Sequence, residues 1–153
     1  MSTLKEGDKA PNFTAKDQNG KEVSLSDFKG KTTILYFYPK DDTPGCTAEA
    51  CDFRDNYQSL LSKGYEVVGV STDSEKSHKK FETKHSLPFT LIADESKEIN
   101  EAYGVWVEKN MYGKKYMGTA RLTFIIDGDG IIKNIIQKVD TKNASQQVLD
   151  LIG

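Results

Sequence analysis

The sequence predicts an α/β fold, a central mixed β-sheet flanked by helices and entered through an N-terminal β-hairpin. Three observations predict it. Apolar and β-branched runs such as TTILYFY (Thr32–Tyr38) lack the polar alternation of a half-solvated strand, so they read as strands covered on both faces. Segments of helical periodicity separate these runs through the middle of the chain, the pattern of a sheet with helices on its faces. The chain then closes with two adjacent strand patterns and a helix.

Each element has its own signal. In FTAKDQNGKEVSL (Phe13–Leu25), Asn19-Gly20 supplies the positive backbone angles of a tight hairpin turn. After Thr32–Tyr38 a helix is expected with Thr43 as N-cap and Pro44 at its first position, where a missing N–H does no harm. Ala50, Phe53, Tyr57, Leu60 and Leu61 recur at helical spacing, and Gly64 can end that helix in a left-handed cap. YEVVGVST (Tyr65–Thr72) is a second covered strand, followed by a polar helix from about Ser74 to His85. PFTLIAD (Pro88–Asp94) gives a short strand, and ESKEINEAYG (Glu95–Gly104) a short helix. The loop around Met111 carries the least signal. RLTFIID and GIIKNII form two strands joined at Gly128-Asp129, and a last helix starts near Asn143. This order, β-α-β and then β-β-α, is that of a thioredoxin-like domain with insertions. Ligands of such sheets gather at the carboxyl ends of strands, and Cys46 lies just past the end of the first long strand.

Composition narrows the function. The 153 residues suit one domain over 1–153, and no repeat, low-complexity tract or linker divides them. Charged residues make up 29% and hydrophobic ones 37%, the balance of a globular protein. A net charge of −2 leaves no broad basic field for a nucleic-acid backbone, and lysine pairs such as Lys79-Lys80 and Lys114-Lys115 read as solvated surface. The opening MSTLKEGDKAPNF has no apolar signal region, and no run approaches the ~18 apolar residues of a membrane span. The expected location is the cytoplasm, where thiols stay reduced. Two cysteines in a chain of this size do not make a disulfide scaffold.

Those two cysteines, Cys46 and Cys51, are five positions apart. Counting from Thr43, Cys46 is the third helical residue, facing the positive end of the helix dipole and unpaired N–H groups that favour a thiolate. Asp41 and Asp42 oppose this if they point inward, so a nearby cation is needed. Cys46 also continues the apolar stripe of positions 50, 53 and 57, which turns it toward a sheltered pocket. Cys51 lies about 140° around the helix, with the Cα atoms ~8–9 Å apart. A disulfide tolerates ~7 Å. A Cys46–Cys51 bridge therefore requires the first turns to unwind, which suits a catalytic cycle better than a staple. Free cysteines are also often small buried hydrophobes, and that reading competes.

PKDDTPGC (Pro39–Cys46) matches the peroxiredoxin signature P-x-x-x-T-x-x-C, and TAEACDFRD after it, with GVW, YGKKYMG and RLTFIIDGDG further on, resembles the bacterioferritin comigratory protein or peroxiredoxin Q branch. The resemblance implies a peroxidatic Cys46, a resolving Cys51, and an active site completed by Thr43, Pro39 and Arg121. The backbone of Gly45 belongs to the implied substrate-binding cradle; Glu49 either orients Arg121 there or is a solvated helix residue. It further implies reduction of hydrogen peroxide and organic hydroperoxides, an intrachain disulfide, and recycling by thioredoxin or by glutaredoxin. No metal or organic cofactor is expected, and the single covered sheet suggests a monomer.

Other constellations are weaker. His78 and His85 are expected as surface residues on the polar helix, and a Cys₂His₂ zinc site with Cys46 and Cys51 falls outside the usual spacings. A Cys-His hydrolase needs a histidine beside Cys46. GVSTD lacks the second glycine of a nucleophile elbow. DGDG (Asp127–Gly130) lacks the glutamate of a calcium loop, and no phosphate-binding glycine motif occurs. The rivals to a peroxidase are a thiol-disulfide oxidoreductase, which would want C-x-x-C, and a redox-sensing binding domain.

Overall fold

The two long covered runs, TTILYFY and YEVVGVST, lie side by side toward the middle of the sheet. The structure, a computed structural model, describes residues 2–153. β1 (Thr14–Asp17) and β2 (Glu22–Ser24) form the expected hairpin, with Gly20 at φ 76° in its turn. β3 (Thr32–Phe37), β4 (Tyr65–Ser71) and β5 (Thr90–Ala93) are parallel neighbours. β8 (Leu122–Ile126) and β9 (Ile132–Ile136) add antiparallel on the far side of β3. The order across the seven-stranded sheet is β2-β1-β5-β4-β3-β8-β9.

Side chains alternate across β3, so Ile34, Tyr36 and Tyr38 face one layer while Leu35 and Phe37 face the other. The first layer holds Ala50, Phe53 and Leu60 of α1 (Pro44–Ser62), Phe81 of α2 (Glu75–His85) and Val148 of α4 (Ala144–Ile152). The second is closed by Ile99 of α3 (Glu98–Ala102), by Leu25 of a short 3-10 helix, and by Ala10 and Phe13 of the N-terminal segment. Gly69 of β4 is required by packing: a Cβ there would meet the Tyr36 ring at 2.9 Å.

One element was not foreseen. The segment around Met111 folds as a separate two-stranded sheet of β6 (Trp106–Met111) and β7 (Lys114–Thr119). Tyr112 and Gly113 form its turn with φ of 53° and 81°. The hairpin exposes Met111, Tyr112, Tyr116 and Met117, so its residues carry no burial pattern to read.

Candidate active site

Register delivers the site. Phe37, the last residue of β3, pairs with Leu122, the first of β8, so Arg121 stands at the carboxyl end of β3 where α1 begins. Thr123 and Ile125 share its parity, and Ile125 packs in the α1 layer, so Arg121 faces α1. Its backbone is fixed from the other side as well. The Ala120 N–H donates to the Val105 carbonyl at 2.7 Å, and the Thr119 hydroxyl to Asn100 Oδ1 at 2.6 Å. Asn100 in turn donates to Asp94 Oδ2 at 2.7 Å, and the Asp94 carboxylate also accepts the backbone N–H groups of Ile99 and Asn100 at the start of α3. This Asp94-Asn100-Thr119 chain has no local sequence signal, because Asp94 lies in the turn after β5, Asn100 on α3 and Thr119 on the hairpin strand that precedes β8.

Thr43 is the N-cap of α1 and Pro44 its first residue, as expected, with the Thr47 N–H reaching the Thr43 carbonyl at 2.8 Å. The Thr43 side chain does not cap the helix. Its hydroxyl donates instead to the Lys40 carbonyl at 2.8 Å. The physical reason is local, since the tight turn leaves that carbonyl within reach. The hydroxyl oxygen keeps lone pairs to offer, but its proton is engaged.

Cys46 is 1% exposed, and Arg121 Nη2 donates to its sulfur at 3.2 Å. Arg121 Nη1 donates to Glu49 Oε1 at 2.7 Å. The fork of one guanidinium therefore spans sulfur and carboxylate. Glu49 is wholly buried and paired with Arg121, so it is not the solvated helix residue that one of its two sequence readings expected. Its second oxygen, Oε2, has no partner among the described residues. Burial pushes the Glu49 carboxyl up to about 7 even though Arg121 pulls it down. Burial also opposes the charge on Arg121, yet Cys46 and Glu49 beside it hold its pKa above the ordinary arginine value. Gly45 passes close under the guanidinium, and a Cβ there would lie 3.3 Å from Arg121 Nη2. Pro39 is half-buried in the turn leading from β3 to α1. Cys51 is a free, half-buried thiol further along the same helix.

The two aspartates before the cysteine are turned away from it. Asp41 accepts from Tyr38 and Ser77 and meets His78 Nδ1 at 2.7 Å, while Asp42 pairs with Lys84 and His85. A cation, Arg121, stands beside the sulfur all the same, although the aspartates that would have called for one face elsewhere. His78 corrects an expectation: it is wholly buried, with Nε2 donating to the Ile92 carbonyl at 2.9 Å. It was expected at the surface because α2 is polar around it. A buried Asp41 needs donors, and the chain supplies one from 37 positions away. Among the described residues, the side chain bonded to the Cys46 sulfur is that of Arg121, and neither histidine is. Asp41, Asp73 and His78 bring potential metal-ligand atoms together, but hydrogen bonds to Tyr38, Ser71, Ser77 and Ile92 and with one another already engage them.

Residues 6–135 match the AhpC/TSA family. The chain belongs to that family, in its peroxiredoxin Q branch. A peroxiredoxin Bcp of Bacillus subtilis is 46% identical over 98% of this chain and 96% of its own. A putative peroxiredoxin bcp of Coxiella burnetii is 52% identical over 90% and 91%. Among solved structures, the peroxiredoxin Q of Xylella fastidiosa superposes with a TM-score of 0.93 at 31% identity, covering 99% of this chain and 97% of its own. The bacterioferritin comigratory protein of Xanthomonas campestris, described for its alkyl peroxide reduction activity, gives 0.87 at 33%, covering 98% and 96%. This peroxiredoxin is a thiol-dependent peroxidase on a thioredoxin-like fold. A sheltered sulfur held by a fixed cation, at the mouth of a helix, is what nucleophilic attack on a polarisable O–O bond needs.

Proposed function

We propose that this peroxiredoxin reduces hydrogen peroxide and organic hydroperoxides at Cys46, with Cys51 as resolving thiol and thioredoxin as reductant. The observation that carries the reading is the Arg121 fork, which joins the Cys46 sulfur at 3.2 Å to the buried Glu49 at 2.7 Å. Cys46 thiolate attacks one peroxide oxygen, the S–O bond forms and the O–O bond breaks. The leaving oxygen takes a proton and departs as water or alcohol. Negative charge moves along the S–O–O line, so Arg121 and the Gly45 and Cys46 N–H groups are the donors that meet it, the Thr43 oxygen accepts the O–H of the incoming hydroperoxide, and Pro39 keeps water off the sulfur. Glu49 positions Arg121.

Cys51 thiolate then attacks the sulfenic sulfur, the S–S bond forms, and hydroxide leaves as water after taking a proton. Two electrons from an external dithiol restore both thiols. Thioredoxin is the preferred donor, with glutaredoxin the alternative, and the working unit is a monomer of one domain in the cytoplasm. Among the described residues no helix is long and apolar enough to cross a membrane.

Stopped-flow peroxide consumption tests this. Cys46→Ser is expected to abolish turnover with any reductant. Cys51→Ser is expected to keep one fast oxidation of Cys46 and to lose thioredoxin-driven cycling. An active Cys46→Ser protein would refute the assignment. A wild-type protein that oxidises once and is not recycled by thioredoxin or glutaredoxin would favour the redox sensor.

A further inference from the structure

The disulfide requires part of α1 to come apart, and side-chain contacts are distributed unevenly along that part. Asp41, just ahead of it, is 8% exposed and firmly held. Its Oδ1 accepts the Tyr38 hydroxyl at 2.6 Å, and its Oδ2 accepts the Ser77 hydroxyl at 2.7 Å and meets His78 Nδ1 at 2.7 Å. Its own N–H donates to Asp73 Oδ2 at 2.8 Å. Because the Ile92 carbonyl can only accept, His78 Nε2 carries a hydrogen, and Nδ1 is the ring atom that faces Asp41.

Asp52, one residue after Cys51, is held in the same way. Its carboxylate accepts the Ser145 N–H at 2.7 Å, in the first turn of α4, and its carbonyl accepts the Ser145 hydroxyl at 3.3 Å. Beyond it, Arg54 donates to the His85 carbonyl at 2.8 Å, and Phe53 and Leu60 are wholly buried.

Residues 42–51 differ from both flanks. The side chains they bury are those of Cys46, Glu49 and Ala50, of which only the alanine is a committed apolar anchor. Asp42 has φ 57°, and its pairs with Lys84 and His85 use a carboxylate that is 45% exposed, where ion pairs contribute little. The remaining strong ties run to Arg121, and oxidation of Cys46 removes the thiolate from one of them.

We propose that Asp41 and Asp52 are positioning residues that bracket the segment which opens for disulfide closure, so that it is residues 42–51, with Asp42 as its hinge. His78 secures the first bracket and Ser145 the second. The inference rests on the two-cysteine cycle above and specifies where that cycle unfolds the chain. Opening follows the weakest local stability, and here it is confined to the stretch that contains both cysteines.

Amide hydrogen exchange on reduced and disulfide forms of the wild-type protein tests it. The Thr47 N–H, bonded to the Thr43 carbonyl, is expected to lose protection in the disulfide form. The Asp41 and Ser145 N–H groups, bonded to Asp73 and Asp52, are expected to keep theirs. His78→Gln retains a donor for Ile92 and takes away the contact His78 Nδ1 makes with Asp41, which keeps its bonds from Tyr38 and Ser77, whereas His78→Asn retains the contact with Asp41 and takes away the donor to Ile92. In the reduced His78→Gln protein, Thr47 exchange is expected to rise roughly 3- to 10-fold, the range of one lost hydrogen bond. In its disulfide form the unprotected stretch should extend back to Tyr38, whose N–H otherwise reaches Val70. His78→Asn should restore both readings toward wild type. A disulfide that forms while the Asp41 or Ser145 amide opens together with Thr47 overturns the bracket and leaves the peroxidase cycle standing. A peroxide-treated protein with no Cys46–Cys51 bond removes the cycle, and the bracket with it.

Discussion

At the scale of single residues the candidate site holds a glutamate that is buried with one oxygen unpaired among the described residues. Glu49 gives one oxygen to Arg121 and leaves Oε2 without a partner, and burial outweighs the guanidinium in setting its pKa at about 7, above the ordinary 4.5. An acid whose folded pKa is raised stabilises the protein fully below the unfolded value and loses that contribution as pH rises through the folded one. The Glu49 contribution is therefore present below about pH 4.5 and lost as pH passes about 7. A shift from 4.5 to about 7 corresponds to something on the order of 3 kcal/mol. Glu49→Gln keeps an acceptor for Arg121 and cannot ionise. Denaturant unfolding from pH 4.5 to 8 should show wild type losing stability relative to Glu49→Gln across that window. Parallel curves for the two proteins would mean that Glu49 is ionised throughout, with Arg121 meeting its full desolvation.

At the scale of elements, α1 and the β6–β7 hairpin mark the two extremes of legibility. The hairpin turn holds Tyr112 at φ 53° with its side chain fully exposed, where asparagine or glycine is favoured and a bulky residue is strained. Tyr112→Asn is expected to raise stability by ~0.5–1 kcal/mol and leave peroxide turnover unchanged, read from denaturant midpoints and steady-state rates. A loss of stability would mean that the tyrosine ring packs on the hairpin more favourably than its backbone is strained. The sequence does not announce this element, since a two-stranded sheet with Met111, Tyr116 and Met117 exposed has no buried face to impose a period of two. By contrast β3, β4 and β8 are buried almost throughout, and α1 declares itself through Thr43-Pro44 and the spacing of Ala50, Phe53 and Leu60. Within the site, Cys46 could be reasoned from its helix position, whereas Arg121 came from resemblance alone, because 75 residues separate the pair. His78 was misread for the same cause: its neighbours in sequence are polar, and its partners Asp41 and Ile92 come from other elements.

Across the whole molecule, the proposed cycle trades folded structure for a covalent bond. In the reduced protein the first turns of α1 close the layer over Tyr36 and Tyr38 and complete the Arg121 contacts. A Cys46–Cys51 bond closes a ring so short that its chain-entropy contribution is only ~2 kcal/mol. Against it stand two charge-assisted hydrogen bonds of Arg121, each worth about 1.5–3 kcal/mol, and an arginine left half-buried without its partners. The losses exceed the gain, so this disulfide should destabilise the fold, the reverse of a structural bridge. The oxidised protein is expected to melt roughly 3–10 °C below the reduced one, measured by calorimetry on the two forms without added reductant. The sign follows from the place of the bond inside a helix whose intact geometry holds the two Cα atoms ~8–9 Å apart. A higher melting point on oxidation would mean that the bridge forms at no expense to α1, and that the helix does not open to make it.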